Sequence, residues 1–282
     1  MRRSSLLVLA TAAVALWSGI GRAMERGELL FHIGGCQSCH TRPGGQPLEG
    51  GAPLVTPVGT FHPPNITPDP SAGIGGWSDE DFVRAMSDGV SPQGEPYYPA
   101  FPFASYARMT REDLLALWGY LKTAVAPSPT PSKPHELMFP VSLRWGLWPW
   151  RWLFFDPEPI VPDPKHDEAW NQGAYLVQGP GHCAECHSPR TFWGFGVADS
   201  SVPLSGNPGD FITARAPNIT ADPADGIGKW SADDLDTFFS LGMMPDGDFV
   251  GGEMAKVVEN NIGPLPDEAR AAIVTYLLGS RQ

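Results

Sequence analysis

The sequence predicts an all-α chain built from two tandem copies of one small domain, and three observations carry that prediction. The pentad Cys-x-x-Cys-His occurs twice, as Cys36-Gln-Ser-Cys39-His40 and Cys183-Ala-Glu-Cys186-His187. Residues 65–78 (NITPDPSAGIGGWS) and 218–231 (NITADPADGIGKWS) agree at ten of fourteen places with a constant offset of 153. Apolar residues fall at helical spacing around both repeats, and alternating strand patterns are nearly absent. With 42% hydrophobic and 18% charged residues in 282, the chain can bury one or two cores; 32 glycines and 31 prolines predict long loops between its helices.

The elements follow in order. Arg2-Arg3, an apolar run from Leu6 to Trp17 and the small residues before Ala23 have the three parts of a secretory signal, so residues 1–23 are expected to be a signal peptide. Its removal takes away three arginines and no acid, moving the net charge from −12 to −15. That charge, with no basic stripe, argues against nucleic acid and favours a partner with a basic face. Domain one is expected over 24–125. It comprises a short helix into the first pentad, a Gly/Pro-rich loop, a helix capped by Ser78 with Asp79, Glu80 and Asp81 in its first turn, and a closing amphipathic helix from Thr110. Residues 126–164 carry ten prolines and are expected to form an extended, stiff linker rather than a helix. Four tryptophans lie within it between Trp145 and Trp152, either wedged between the domains or offered to a partner or membrane interface. Domain two, 165–282, repeats the plan, with Ser231 as cap and a closing helix from Asp267. The pentads are offset by 147 rather than 153, so about six extra residues are expected in a loop of domain two.

The pentads point to covalent haem. Each thiol can add across one vinyl group of a porphyrin, and the adjoining histidine is then held beneath the iron, which is why the spacing is short and fixed. Two such pentads use every cysteine of the chain, so two c-type haems are expected, attached through Cys36 and Cys39 with His40, and through Cys183 and Cys186 with His187. The rivals are a Cys/His zinc site, which needs further ligands nearby, and a redox-active Cys-x-x-Cys pair, which has no use for the histidine.

The other axial position decides between electron transfer and ligand chemistry. In domain two the expected ligand is Met254, in the loop before the last helix, with Met243 and Met244 as rivals. The repeat offset puts Phe101, which cannot ligate iron, at the matching place of domain one. Met109 is the expected ligand there, against Met86 on a helix face and His62. Arg190, Trp193, Trp77 and Trp230 are expected either to touch the porphyrin and its propionates or simply to pack.

Asn65-Ile-Thr, Gly73-Ile-Gly-Gly-Trp77-Ser78, Tyr97-Tyr98-Pro99-Ala100-Phe101-Pro102 and Gly179-Pro-Gly-His-Cys183 together resemble the cytochrome c subunits of membrane-associated alcohol and gluconate dehydrogenases. Those subunits usually carry three haem domains, and the chain matches the first two-thirds of that plan. The resemblance implies class I cytochrome c domains in a bacterial periplasm, passing electrons from a dehydrogenase toward a quinone, cytochrome or terminal oxidase, with peripheral membrane association through a partner. The family often has Met where Phe101 stands and an aliphatic residue where Met109 stands, which supports Met109 as a relocated ligand. The alternative is a dihaem oxidoreductase of peroxidase or thiosulfate-oxidising type, with one exchangeable haem site in domain one.

Overall fold

A computed structural model of the chain describes residues 26–209 and 215–279. The expected signal peptide lies outside them. The first half runs from helix α1 (residues 26–33) into the one-turn helix α2 (Cys36–His40), the hairpin β1 (Leu54–Thr56) and β2 (Gly59–Phe61), then α3 (Asp79–Ser87), α4 (Phe103–Tyr106) and α5 (Arg111–Ala124). The connecting stretch holds β3 (Glu136–Leu137) and α6 (Leu147–Phe154). The second half follows with α7 (Glu168–Gln178), α8 (Ala184–His187), α9 (Ala232–Leu241), α10 (Gly252–Val257) and α11 (Asp267–Gly279).

The predicted caps form. Ser78 Oγ accepts the Asp81 N–H at 3.1 Å while the Asp81 carboxylate accepts the Ser78 N–H, and Ser231 and Asp234 repeat the arrangement. Thr110 caps α5 through the Asp113 N–H. The stripes of these helices build two cores. One contains Leu30, Phe82, Met86, Met109, Leu114, Leu117 and Trp118; the other contains Leu176, Leu235, Phe239, Leu265, Ile273 and Leu277. Burying each such side chain contributes about 1.5–3 kcal/mol.

Each closing helix crosses the helix leading into its pentad at a glycine. A Cβ on Gly27 would lie 2.3 Å from the Ala116 carbonyl oxygen, and one on Gly173 would lie 2.0 Å from that of Ala272, so both crossings need a residue without a side chain. Ile33 of α1 reaches into the second core, which joins the halves.

Two expectations are corrected. The chain is not wholly free of strands: β1, β2 and β3 pair antiparallel, and β3 comes from the connecting stretch. That stretch is also not extended throughout. Residues 147–154 form α6, with Pro149 in its first turn, where a missing N–H costs nothing. The tryptophans divide between the two readings. Trp150 is wedged, its indole Nε1–H donating to the Phe195 carbonyl at 2.6 Å and its ring edge-on to Phe103, whereas Trp145 and Trp152 are 68% and 85% exposed. No helix among the described residues is long and apolar enough to cross a membrane.

Candidate haem-attachment sites

The local backbone of the two pentads is the same. Gly50 N–H donates to the His40 carbonyl at 3.0 Å, and Gly206 N–H to that of His187 at 2.8 Å. Ile66 N–H closes on Leu48 and Ile219 N–H on Leu204, with both leucines at positive φ, 61° and 62°. Asn65 Oδ1 accepts from the backbone N–H and hydroxyl of Thr67, and Asn218 does the same for Thr220. This is why Asn-x-Thr is repeated: the side-chain amide substitutes for a strand partner and fixes the loop that faces the pentad. The expected insertion resolves into two changes. Nine more residues separate His187 from Leu204 than His40 from Leu48, and three fewer follow before the asparagine.

The loop sets the chemistry of both histidines. His40 Nδ1 lies 2.8 Å from the Pro64 carbonyl oxygen, and His187 Nδ1 lies 2.8 Å from that of Pro217. A carbonyl only accepts, so the proton sits on Nδ1 and the lone pair on Nε2 is left for a metal. Burial lowers the pKa of both rings, partly offset by that carbonyl, which favours the neutral form a ligand must have. None of the four cysteines is in a disulfide. Burial pushes the Cys36 and Cys183 thiols up to about 12, the reverse of the depressed value a redox-active pair requires. No group of three His, Cys, Asp or Glu side chains among the described residues is arranged to hold a metal ion, so the further ligands of the zinc reading are not assembled.

The methionines share cores with the attachment cysteines. Met109 is buried in the first core, against which Cys36 and Phe101 pack; Met254 is half-buried and packs on the second, together with Cys183. Met254 lies on α10, not in a loop as expected, because the chain turns helical directly after Gly252 at φ 64°. His62 Nε2 lies 3.3 Å from the Glu136 carboxylate but is buried without a hydrogen-bond partner. Met86 is buried on α3. Arg190 is 3% exposed at its side chain and paired to Glu185 at 2.8 Å, while its Nε is buried without a hydrogen-bond partner. It lines an open cleft of about 490 Å³ with Pro57, Pro189, Trp193 and Gly194. Trp193 stands 83% exposed, and Trp77 and Trp230 pack against the two cores. The donor set and the free Nε2 of each imidazole fit a porphyrin attached at each pentad, and the unpaired Arg190 nitrogen beside a cleft, three residues after His187, fits one at the second.

The chain is 41% identical to a protein named "Diheme cytochrome c-type" from Cereibacter sphaeroides, across 98% of each chain. The chain belongs to the dihaem c-type cytochromes. Membership means two covalently bound c-type haems, one for each pair of cysteines. It is also 39% identical to the gluconate 2-dehydrogenase cytochrome c subunit of Pantoea cypripedii, and 37% identical to the cytochrome c subunit of the quinone alcohol dehydrogenase of Gluconacetobacter polyoxogenes. Those matches take in 98% and 90% of this cytochrome but only 64% and 55% of the relatives, so the chain spans between half and two-thirds of the dehydrogenase subunits. No protein-family model matches it.

Sequence reasoning missed the Pro64 and Pro217 carbonyls, although a proline stands before Asn-Ile-Thr in both repeats and was available as a signal. It also missed Tyr106, whose hydroxyl donates to the Gly34 carbonyl at 2.7 Å beside the first pentad.

Proposed function

We propose that this cytochrome is an electron carrier made of two tandem haem domains, residues 24–125 and 165–282, joined by the connecting stretch 126–164. The observation that carries the reading is the paired His40–Pro64 and His187–Pro217 hydrogen bonds, which hold two imidazoles in the tautomer that ligates through Nε2. Cys36, Cys39, Cys183 and Cys186 attach the two groups, His40 and His187 are the proximal ligands, and Met109 and Met254 are the distal ones. A c-type haem supplies an iron that cycles between ferrous and ferric, and its potential is set by axial ligand, burial and hydrogen bonding. The protein's own part is to hold each imidazole's orientation, to keep a thioether in the apolar core opposite it, and to exclude water.

The dehydrogenase subunits among the relatives support a dehydrogenase as donor. A quinone, a second cytochrome or a terminal oxidase is the acceptor, and the basic, apolar and small-residue start of the chain supports export to the periplasm. The net charge of −12 favours a donor or acceptor with a basic docking face. The test is near-infrared magnetic circular dichroism of the oxidised holoprotein, counted against a haem assay, with Met109→Ala and Met254→Ala alongside. Two thioether-ligated haems, each variant losing one, are expected. A bis-histidine centre in the unchanged protein would overturn the methionine ligand assignment, and a high-spin centre would overturn the carrier reading in favour of the dihaem oxidoreductase.

A further inference from the structure

The segment carrying Met109 is held by the other half of the molecule. Both neighbours of Met109 bond to one face of α7. Arg108 Nη2 donates to the Gln178 side-chain oxygen at 3.0 Å, and the Thr110 N–H donates to the Tyr175 hydroxyl at 3.1 Å. Tyr175 and Gln178 are three residues apart and so share a helix face. Met109 packs against the end of that face: a Cβ at Gly179 would stand at ordinary contact distance, 3.7 Å, from Met109 Cγ. The Tyr175 hydroxyl in turn donates to Asp113 at 2.5 Å, and Asp113 is held from α1 by Nε and Nη2 of Arg26, at 2.9 and 2.7 Å. Upstream in the same segment, Ser105 Oγ donates to Glu185 at 3.0 Å, and the Tyr106 ring meets His182 edge-on at 5.6 Å.

The grip has a counterpart on the other side. The turn after α10, which carries Met254, rests on the first pentad: Ser38 Oγ donates to Asn261 at 2.7 Å, and His32 Nδ1 lies 3.3 Å from the Asn260 carbonyl. Each half therefore braces the segment that bears the other half's methionine.

We propose that Tyr175 and Gln178 are positioning residues for Met109, so that iron ligation in the first half is set from the second half. The inference rests on the assignment of Met109 as distal ligand in the preceding reading. Packing alone would let Met109 turn within the apolar core; bonds to the residues on either side fix its backbone and therefore the direction of its thioether. The consequence is a coupling between the two sites that neither half would show by itself.

The test compares the holoprotein with Tyr175→Phe/Gln178→Ala, Gln178→Glu and Met109→Ala, each checked for haem content. In the double variant two haems per chain are expected, with the near-infrared thioether-to-iron band reduced toward half, the loss Met109→Ala produces, and one redox step moved to lower potential while the other stays. Gln178→Glu, which keeps an acceptor for Arg108, should retain the full band. A purely structural role would lower stability but leave the band of the folded protein intact. A full band and two unmoved steps in the double variant, with the band halved in Met109→Ala, would overturn this inference alone. A full band in Met109→Ala would overturn the ligand assignment and this inference with it. If the double variant does not fold, Tyr175→Phe, which removes a single hydroxyl, is read by the same criteria.

Discussion

The two halves share the frame of the attachment site and differ in nearly everything that surrounds it. In both, a glycine crossing, a capping box, an Asn-x-Thr loop and a proline carbonyl on the histidine recur. Beyond that frame they part. The first half stacks Trp118 on Phe82 at 4.8 Å where the second has Val274 and Leu235 at the matching positions. The first half is also tied to the connecting stretch: Asn65 Nδ2 donates to the Ser128 and Thr130 carbonyls, and β3 extends its hairpin. The second half instead carries the longer loop with Arg190 and Trp193. What was kept is the hydrogen bonding that gives a neutral, oriented imidazole; what changed is the packing that would set each site apart from the other.

The largest expected effect tests whether the halves stand alone. Valine at Gly27 or Gly173 would drive a side chain into a backbone carbonyl, and neither helix can move without opening its core. Because Ile33 of the first half lies in the second core, damage is expected to spread: haem per chain should fall from two to one or fewer in each variant, and proteolysis should cut both halves. Clean loss of one haem, with the other half protease-resistant, would show the halves to be independent and weaken the idea of mutual bracing.

Next comes the difference in aromatic content. Trp118 is 1% exposed, and Trp118→Ala is expected to cost about 3–5 kcal/mol by chemical denaturation. Val274→Ala, which removes two methyl groups from the matching site, should cost about 1.5 kcal/mol. Equal costs would mean that the stack on Phe82 adds nothing to the first core.

A smaller contrast lies at the repeated asparagine. Asn65→Ala leaves the Thr67 donors and two carbonyls of the connecting stretch without their partner, an expected loss of about 2–3 kcal/mol. For Asn218→Ala the bonds to Thr220 are at stake, and about 1 kcal/mol is expected. Thermal or denaturant unfolding of the two variants side by side decides it.

What could be seen in the sequence was what acts over a few residues. The pentads, the caps at Ser78, Ser231 and Thr110, and the crossing stripes of α5 and α11 all follow from local spacing. The hairpin did not, because strands of three residues are too short to display alternation. Helix α6 was hidden by its proline and by the proline-rich stretch around it; Pro149 is harmless only because it falls in the first turn. Leu48 and Leu204 are buried at positive φ, which turns the chain toward the pentad, and no side-chain pattern announces that. In the site, the attachment residues were legible as a motif. The bonds from Arg108 and Thr110 to α7 were not, since they join residues 70 and 65 positions apart.

The smallest effect concerns acid. The Gln46 backbone N–H, together with the Thr130 and Ser128 hydroxyls and the Arg42 guanidinium, holds the Glu49 carboxyl below the usual carboxylate range. A folded-state pKa below the unfolded one means that this stabilisation is complete above the ordinary glutamate value, about 4.3, and is lost as pH falls through the folded value. The matching residue of the second half, between Leu204 and Gly206, is Ser205, which does not titrate in that range. Glu49→Gln should therefore be less stable than the unchanged protein at pH 7, and the gap should close as pH drops below about 4. Ser205→Ala should show no such convergence. Parallel pH profiles for Glu49→Gln and the unchanged protein would mean that the glutamate's partners serve it equally well uncharged, and the tie between the first half and the connecting stretch would then be one of shape rather than charge.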